Sequence, residues 1–576
     1  MRLREALELI QQGRPAGAER ERYLLACSST PVHLQAFLRA YLLKARPDRD
    51  LQVGTSAYGD LLGSLERLSP VDCAGVAVVC EWCDLDPRLG FRRLGGWAPS
   101  GFEDILADVH ASFGRLKSAI EHIVASVPVA ISLPTLPLPP LEISTPAQAL
   151  TIEPRLEAAV WGFAEWCAQH RGVRLVSRAE VDYRSPLSGR FDLRSEIGQG
   201  CPYSLAHTAV LAELTSRLLA PATPLKGLIT DLDDTLWDGI LGEAGVSGVR
   251  FTLDAGAQIH GLYQQLLQSF ADRGVLVAVA SKNEPALVEQ ALARADLLVR
   301  RDSLFPVDAH WGAKSESIGR ILKAWNVGAD AVAFVDDSPL ELAEVQARFP
   351  EVRCLRFPKR EPGALLDFFR TLREWFGRTA IRDEDRIRAR SLQSPSAVDL
   401  APADPAAGEA FLAGLQAHLS FRLSQDTSDE RALELINKTN QFNLNGRRIT
   451  ESNWRETLGR PGMFLVTVAY TDRFGPLGKI AAVVGNQQGG CVTLSWWVMS
   501  CRAFSRRIEH ATLRYLFERL GASRILLDFE PTERNGPLRE FLTSLEIPVS
   551  APEISRTEFL ALCPHLAHSS EEPTHV

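Results

Sequence analysis

Short apolar runs alternate along this chain with stretches whose apolar positions recur every third or fourth residue. The first pattern predicts buried strands and the second amphipathic helices. Up to about residue 220, "GVAVVC", "VPVAISL" and "GVRLVS" read as strands. "FEDILADVHASFGRLKSAIEHIVA" and "PRLEAAVWGFAEWCAQH" read as helices. The alternation predicts an α/β layer, interrupted by an extended Pro-rich excursion, "LPTLPLPPLEISTP". A second block, 221–380, repeats it more cleanly. "LKGLIT", "VLVAVAS" and "AVAFVDD" are strands. "AGAQIHGLYQQLLQSFADRG", "EPALVEQALAR", "KSESIGRILKAWNV" and "PLELAEVQARF" are helices. Near-continuous apolar strands between amphipathic helices predict a parallel sheet covered on both faces. A polar stretch, 381–409, reads as a linker. Block 410–565 has an α+β pattern, with strands "MFLVTVAYTD", "GKIAAVVGNQ", "CVTLSWWVMS" and "RILLDFEP", and 566–576 reads as a disordered tail. The fold class is therefore α/β and multidomain.

Composition narrows the partners. The 576 residues are 45% hydrophobic and 23% charged, with a net charge of -8. A general nucleic-acid footprint is usually a basic domain, so none is expected. No apolar run is long enough to span a bilayer, and the charged N-terminal stretch lacks a signal-peptide core. A cytoplasmic protein without a membrane partner is expected. The 10 cysteines are scattered. The one close pair, Cys80 and Cys83, has no second pair at matching spacing to suggest zinc.

The candidate chemistry lies at strand ends. In a doubly wound sheet, ligands bind beyond the carboxyl ends of the strands. Asp231 and Asp233 follow "LIT", Ser281 ends "VLVAVAS", Asp336 and Asp337 end "AVAFVDD", and Lys314 opens a helix between them. Clustered carboxylates repel one another and raise each other's pKa. A divalent cation such as Mg2+ removes that penalty and prefers hard oxygen ligands. The set suits phosphoryl transfer. Asp231 is a carboxylate nucleophile. Asp233 is an acid and base. Ser281 is a hydrogen-bond donor to phosphoryl oxygens, and Lys314 a charge stabiliser. Asp231, Asp233, Asp336 and Asp337 are the candidate metal ligands. Taken singly, an Asp-x-Asp pair reads as a solvated turn, and Asp336 with Asp337 as a helix cap. The ordered combination is what carries the functional reading.

At this point "DLDDTLW", "ASKN", "WGAKS" and "FVDDSPLE" resemble the four motifs of the haloacid-dehalogenase superfamily. The longer "DLDDTLWDGILGEAGVSGV" resembles its FkbH-like branch. "ELINKTNQFNLNGRR", "DRFGPLG", "VMSCRAF" and "PTERN" resemble that branch's acetyltransferase-like C-terminal domain. The resemblance implies an SGNH-like first domain (1–220), a capless haloacid-dehalogenase domain (221–380) and an acetyltransferase-like domain (410–565). It also implies an activity. A glyceryl unit is taken from 1,3-bisphosphoglycerate, dephosphorylated, and placed as a thioester on an acyl carrier protein for polyketide or antibiotic biosynthesis. Thr235, Asn283 and Arg502 are expected among the substrate contacts.

Spacing adds to this. Asp233 to Ser281 leaves room for a hairpin ("WDGILGEAGVSGVRF"), a helix and a strand, and Ser281 to Lys314 for a helix and a loop. No separate cap fits, so the site is expected to be open, which suits a protein-borne substrate better than a small one. Cys501 is the candidate acyl-carrying thiol. It precedes a helix, with Arg502, Arg506 and Arg507 near enough in sequence to lower its pKa. Asn437, Lys438, Asn440 and Gln441 are a candidate polar cluster for a glyceryl or phosphate group, within a run that also includes Thr439 and Asn443. Such a loop equally often satisfies its own backbone. In the first block, Ser56 lacks a Gly-Asp-Ser elbow and His207 lacks an aspartate three residues earlier, so catalysis is not expected there. Asp234 and Asp238 add negative charge near a phosphate site, which is unfavourable unless they face away or help hold metal.

Overall fold

The computed structural model describes all residues except 13–17, 70–72, 95–100, 142–151, 378–411, 440, 474, 501–502, 505, 533–534, 549–551 and 572–576. The chain divides into two compact units: Met1–Ala222 with Thr450–Asn453, and Thr223–Ile449 with Trp454–Val576. The stretch expected as a linker, 381–409, lies outside the described residues.

In the first unit, β1 (Arg20–Ala26), β2 (Asp50–Thr55), β3 (Gly75–Val79), β4 (Val129–Ser132) and β5 (Val173–Leu175) form a parallel sheet of order β2-β1-β3-β4-β5. The apolar runs identify β3 to β5. β1 and β2 are not evident from hydropathy, because Arg20, Glu21 and Arg22 interrupt one and the other carries Asp50 and Gln52.

The second unit contains two sheets. In the first of them β6 (Gly227–Thr230), β7 (Leu276–Ser281), β8 (Leu304–Ala309), β9 (Val332–Asp336) and β10 (Arg353–Arg356) are all parallel, in the order β10-β9-β6-β7-β8. Side chains alternate across a strand, and the core splits accordingly. Leu228, Val277 and Val335 pack on one face with Tyr263, Leu267 and Phe368, and Ile229, Ala278 and Phe334 on the other with Ile318, Trp325 and Val345. Helices Gln258–Asp272 and Leu365–Phe376 supply the first cover, and Lys314–Trp325 and Pro339–Arg348 the second. β6, β7 and β9 are wholly buried.

Two details differ from the sequence expectation. The supposed loop before Lys314 contains β8. Pro306 within it removes a ladder donor, and the strand accordingly sits at the sheet edge, where proline is tolerated. The supposed hairpin after Trp237 is a single antiparallel bridge, Asp238 to Arg250, enclosing a one-turn helix, Leu241–Ala244. Gly245, at φ +71°, ends that turn in the left-handed region. The whole of 223–377 is described and holds no separate cap domain.

The last sheet is mixed. β11 (His418–Ser424), β12 (Phe442–Asn443), β13 (Met463–Asp472), β14 (Gly475–Gln488), β15 (Cys491–Met499), β16 (Arg524–Leu527), β17 (Glu553–Ser555) and β18 (Ser569–Glu571) run in the order β17-β16-β15-β14-β13-β11-β18, with β12 on β15. Its α+β pattern includes the four strands read from the sequence. β18 falls in the segment expected to be disordered, yet Ser569–Glu571 pairs in parallel with His418–Ser420. No described helix is long and apolar enough to cross a membrane. The nine described cysteines, Cys80 and Cys83 among them, are free.

Candidate active site

β6 ends at Thr230, and the chain turns immediately over the sheet's carboxyl edge. Three polar side chains of helix Gln258–Asp272 clamp that turn. His260 Nδ1 lies 2.9 Å from the Thr235 carbonyl and so donates to it. Gln264 Nε2 donates to the Leu236 carbonyl at 2.8 Å, and the Tyr263 hydroxyl to Thr230 Oγ1 at 3.1 Å. Burial lowers the His260 pKa, against the hydrogen bond to Thr235 and the nearby carboxylates.

The clamp fixes Asp231 and Asp233 in different surroundings. Asp231, almost buried, meets Lys314 Nζ at 2.5 Å. Lys314 also reaches Asp336 Oδ2 at 2.8 Å and Glu341 Oε2 at 2.9 Å. Burial pushes the Asp231 carboxyl up to about 8, against the pull of Lys314 and with help from Asp336. It pushes Asp336 up to about 6, again against Lys314. Burial opposes the charge of Lys314 too, but attraction to Asp231, Asp336 and Glu341 outweighs it and holds the ammonium above the usual lysine range. Asp233 is half-buried. Its Oδ1 accepts Trp237 Nε1–H at 3.1 Å and the Leu241 amide at 3.0 Å, and its Oδ2 accepts Asn283 Nδ2–H at 2.9 Å. Asn283 also donates to Ser281 Oγ at 3.0 Å, so it ties the end of β7 to the acid of β6.

Asp231, Asp336 and Asp337 offer carboxylate oxygens that all lie within 4.8 Å of one another. Asp233, expected with them as a metal ligand, is not in that group, because its carboxylate is committed to Trp237, Leu241 and Asn283. The donor set fits a hard divalent cation. Charge agrees. Six carboxylates (Asp231, Asp233, Asp234, Asp336, Asp337, Glu341) face three ammonium groups (Lys282, Lys314, Lys359). Thr235 is fully buried, and its hydroxyl accepts the Asp337 amide at 3.1 Å. Thr235, expected among the substrate contacts, thus ties the turn after β6 to the end of β9.

Asp234 and Asp238 are both neutralised. Asp234, at φ +55°, accepts the Gly239 amide at 3.0 Å and Lys359 Nζ at 2.7 Å, and Asp238 pairs with Arg250 at 2.6 Å. Sequence reasoning gave no role to Glu341 or Lys359. A signal existed for Lys359, which follows the end of β10 as the other site residues follow theirs.

The remaining candidates scatter. Both ends of the Asn437 amide bind the Ile449 backbone at 2.9 Å. Lys438 pairs with Glu434 at 2.5 Å. Asn443 serves Thr439, Asn445 and Gly446. The Asn437 and Asn443 amides therefore serve nearby backbone. Gln441 is half-buried beside it. Asn440, Cys501 and Arg502 lie outside the described residues. Arg506 packs over Tyr470 and approaches Asp472, and Arg507 donates to the His565 carbonyl.

The first unit holds a cavity of about 600 Å³ at the carboxyl ends of β1 and β3, the switch point of its sheet. Size alone does not make it the catalytic centre. Glu81 there accepts bonds from Thr135, Leu136 and Tyr203, Asp86 and Asp108 pair with Arg88, and Asp60 pairs with Arg67. Ser56 exchanges hydrogen bonds with the Cys27 backbone. His207 is fully buried between Thr135 and Ser185. His207 and its two hydroxyl partners are buried, and none of His207, Thr135 and Ser185 lines the cavity.

Comparison with known proteins bears on the fold. No protein-family model matches the sequence, and a search of curated proteins finds no match. Among solved structures, the N-terminal part of the protein BF1531 from Bacteroides fragilis is similar, with a TM-score of 0.52 and 17% identity. The match covers 65% of this chain and 98% of that one. That crystal structure is described as containing a phosphatase domain complexed with Mg. The likeness is one of fold: both are mixed α/β, here with parallel sheets.

Proposed function

We propose that this chain is a magnesium-dependent phosphatase of the haloacid-dehalogenase type, of the FkbH-like kind, that loads a glyceryl unit onto an acyl carrier protein. One observation carries the phosphatase reading: Asp231, Lys314, Asp336 and Asp337 converge at the carboxyl edge of one parallel sheet, with Asp233 and Asn283 beside them. The lack of a separate cap domain within 223–377 and the resemblance of the motifs to the FkbH-like branch support the carrier-bound substrate.

A Mg2+ ion held by Asp231, Asp336 and Asp337 would neutralise charge on the phosphoryl group. The residues do the rest. 1,3-Bisphosphoglycerate has an acyl phosphate and a phosphomonoester. Attack of a thiol, that of Cys501 or of the carrier, on the acyl carbon forms the thioester and expels phosphate. At the phosphomonoester, an Asp231 oxygen attacks phosphorus while Asp233 protonates the departing hydroxyl oxygen. Water then attacks the aspartyl phosphate, Asp233 takes its proton, and phosphate leaves with Asp231 restored. Asn283 orients Asp233, Lys314 holds Asp231 in line, and Ser281 contacts the phosphoryl oxygens.

The test is to incubate the protein with 1,3-bisphosphoglycerate, Mg2+ and a holo carrier protein, and to read carrier mass and released phosphate. A glyceryl mass shift that is lost in Asp231→Asn is expected. Phosphate release with an unchanged carrier leaves a stand-alone phosphatase on a small metabolite. Neither event leaves a non-catalytic docking protein, and full loading by Asp231→Asn overturns the assignment of the nucleophile.

A further inference from the structure

Lys359 follows β10, the strand beside β9, and its ammonium is shared. It lies 2.7 Å from Asp234 Oδ2 and 2.5 Å from Asp337 Oδ2. The two carboxylates differ in standing. Asp337 belongs to the group of oxygens within 4.8 Å that suits a divalent cation, and Asp234 does not. A cation arriving at that group therefore meets Lys359 as a competitor for Asp337. Without another anion to hold it, the ammonium would stay on Asp337 and repel the incoming charge.

Asp234 is built to be that anion. Its backbone sits at φ +55°, a left-handed conformation that aspartate tolerates better than most residues. In that conformation one carboxylate oxygen accepts the Gly239 amide and the other faces Lys359. Asp337 is steadied separately, by its amide on Thr235 Oγ1, so it keeps its place when Lys359 lets go. Only about a quarter of the Lys359 and Asp234 side chains is exposed, so solvent screens the pair incompletely.

We propose that Asp234 and Lys359 act as a counter-charge pair that sets the cation affinity of the acidic group. Asp234 draws Lys359 off Asp337, and Asp337 becomes free to ligate. Both are positioning residues. This rests on the divalent-cation reading of the site.

The test is calorimetric titration of Mg2+ into the full-length protein after EDTA treatment. Asp234→Asn leaves Lys359 with Asp337 as its one carboxylate, and affinity falls roughly tenfold, the lower end of losses on removing outer-shell partners. Lys359→Gln removes the competitor, and affinity rises. In the double variant the Asp234→Asn loss disappears, because there is no ammonium left to hold. A merely architectural pair would behave otherwise, with both single variants weaker and the double weaker still. That pattern, or an unchanged affinity in Asp234→Asn, overturns the proposal. Lys359→Arg, which keeps the charge, is expected to bind Mg2+ within about twofold of the parent and guards against misfolding of the glutamine variant, with circular dichroism confirming the fold of each. Absence of Mg2+ binding by the parent protein overturns the cation reading itself, an outcome separate from any difference between variants.

Discussion

Both ring nitrogens of His207 face hydroxyls, Thr135 Oγ1 at 2.9 Å and Ser185 Oγ at 2.9 Å, and none of the ring is exposed. Burial, with Arg190 adding, pushes its pKa down to about 3 from an ordinary 6.5. Below 6.5 the unfolded chain takes up a proton that the folded chain refuses. The stability owed to a neutral His207 is therefore complete above that pH and is lost as pH falls toward about 3. Urea unfolding of the parent and His207→Gln across that window checks this. The variant's slope should be flatter by up to about 1.4 kcal/mol per pH unit, one proton's worth, and equal slopes would contradict it. This histidine also shows the limit of reading single residues. Its neighbours come from segments 72 and 22 residues away, so its role as a core histidine was one reading among several until the fold was known. Asp231, Ser281, Lys314, Asp336 and Asp337 were legible because strand ends and one helix start locate them. Asn437 and Asn443 were ambiguous because amide side chains suit a ligand and a backbone equally well. Asp234 and Asp238 were puzzling because their partners, Lys359 and Arg250, lie beyond the motif.

At the level of elements, β6 is the strand on which the site depends, and Gly227 sets its distance from the helix below. A Cβ there would lie 2.4 Å from Trp325 Cζ3, and the Trp325 ring is buried and pinned by Nε1–H donation to the Phe305 carbonyl at 2.8 Å. Gly227→Ala must displace either the ring or the strand. Such overpacking costs about 1–3 kcal/mol, and a displaced strand carries Asp231 with it. The expected outcome is a lower Tm together with a lower kcat for the proposed phosphatase activity, and unchanged values of both would mean that the contact relaxes freely. The helices and the buried strands were readable from periodicity. β8 was not, since Pro306 and Asp308 break the apolar run, and neither were β1 and β2, where charged and polar residues do so.

For the whole molecule, the two compact units should answer a cation differently. A ligand that binds only the folded form adds RT ln(1 + [L]/Kd), about 2.7 kcal/mol at a hundredfold excess over Kd. All the candidate ligands lie in the second unit. Hydrogen exchange with and without Mg2+ should therefore show added protection at the ends of β6 and β9, and none in β1 to β5. Protection confined to the first unit would place the cation elsewhere. The division into units was only partly legible: composition pointed to three blocks and a linker, and the pairing of Ser569–Glu571 with His418–Ser420 appears only when chain segments 151 residues apart are brought together.

The parallel order β10-β9-β6-β7-β8 has a consequence in time. Asp231 meets Lys314 across 83 residues, and Asp234 meets Lys359 across 125. At about 5–20 residues per second of synthesis, Lys314 emerges roughly 4 to 17 s after Asp231, and Lys359 roughly 6 to 25 s after Asp234. During those intervals the growing chain carries Asp231 and Asp234 without the lysines that pair with them. The acidic group at the edge of this sheet is thus balanced only after β10 and the residues that follow it have emerged.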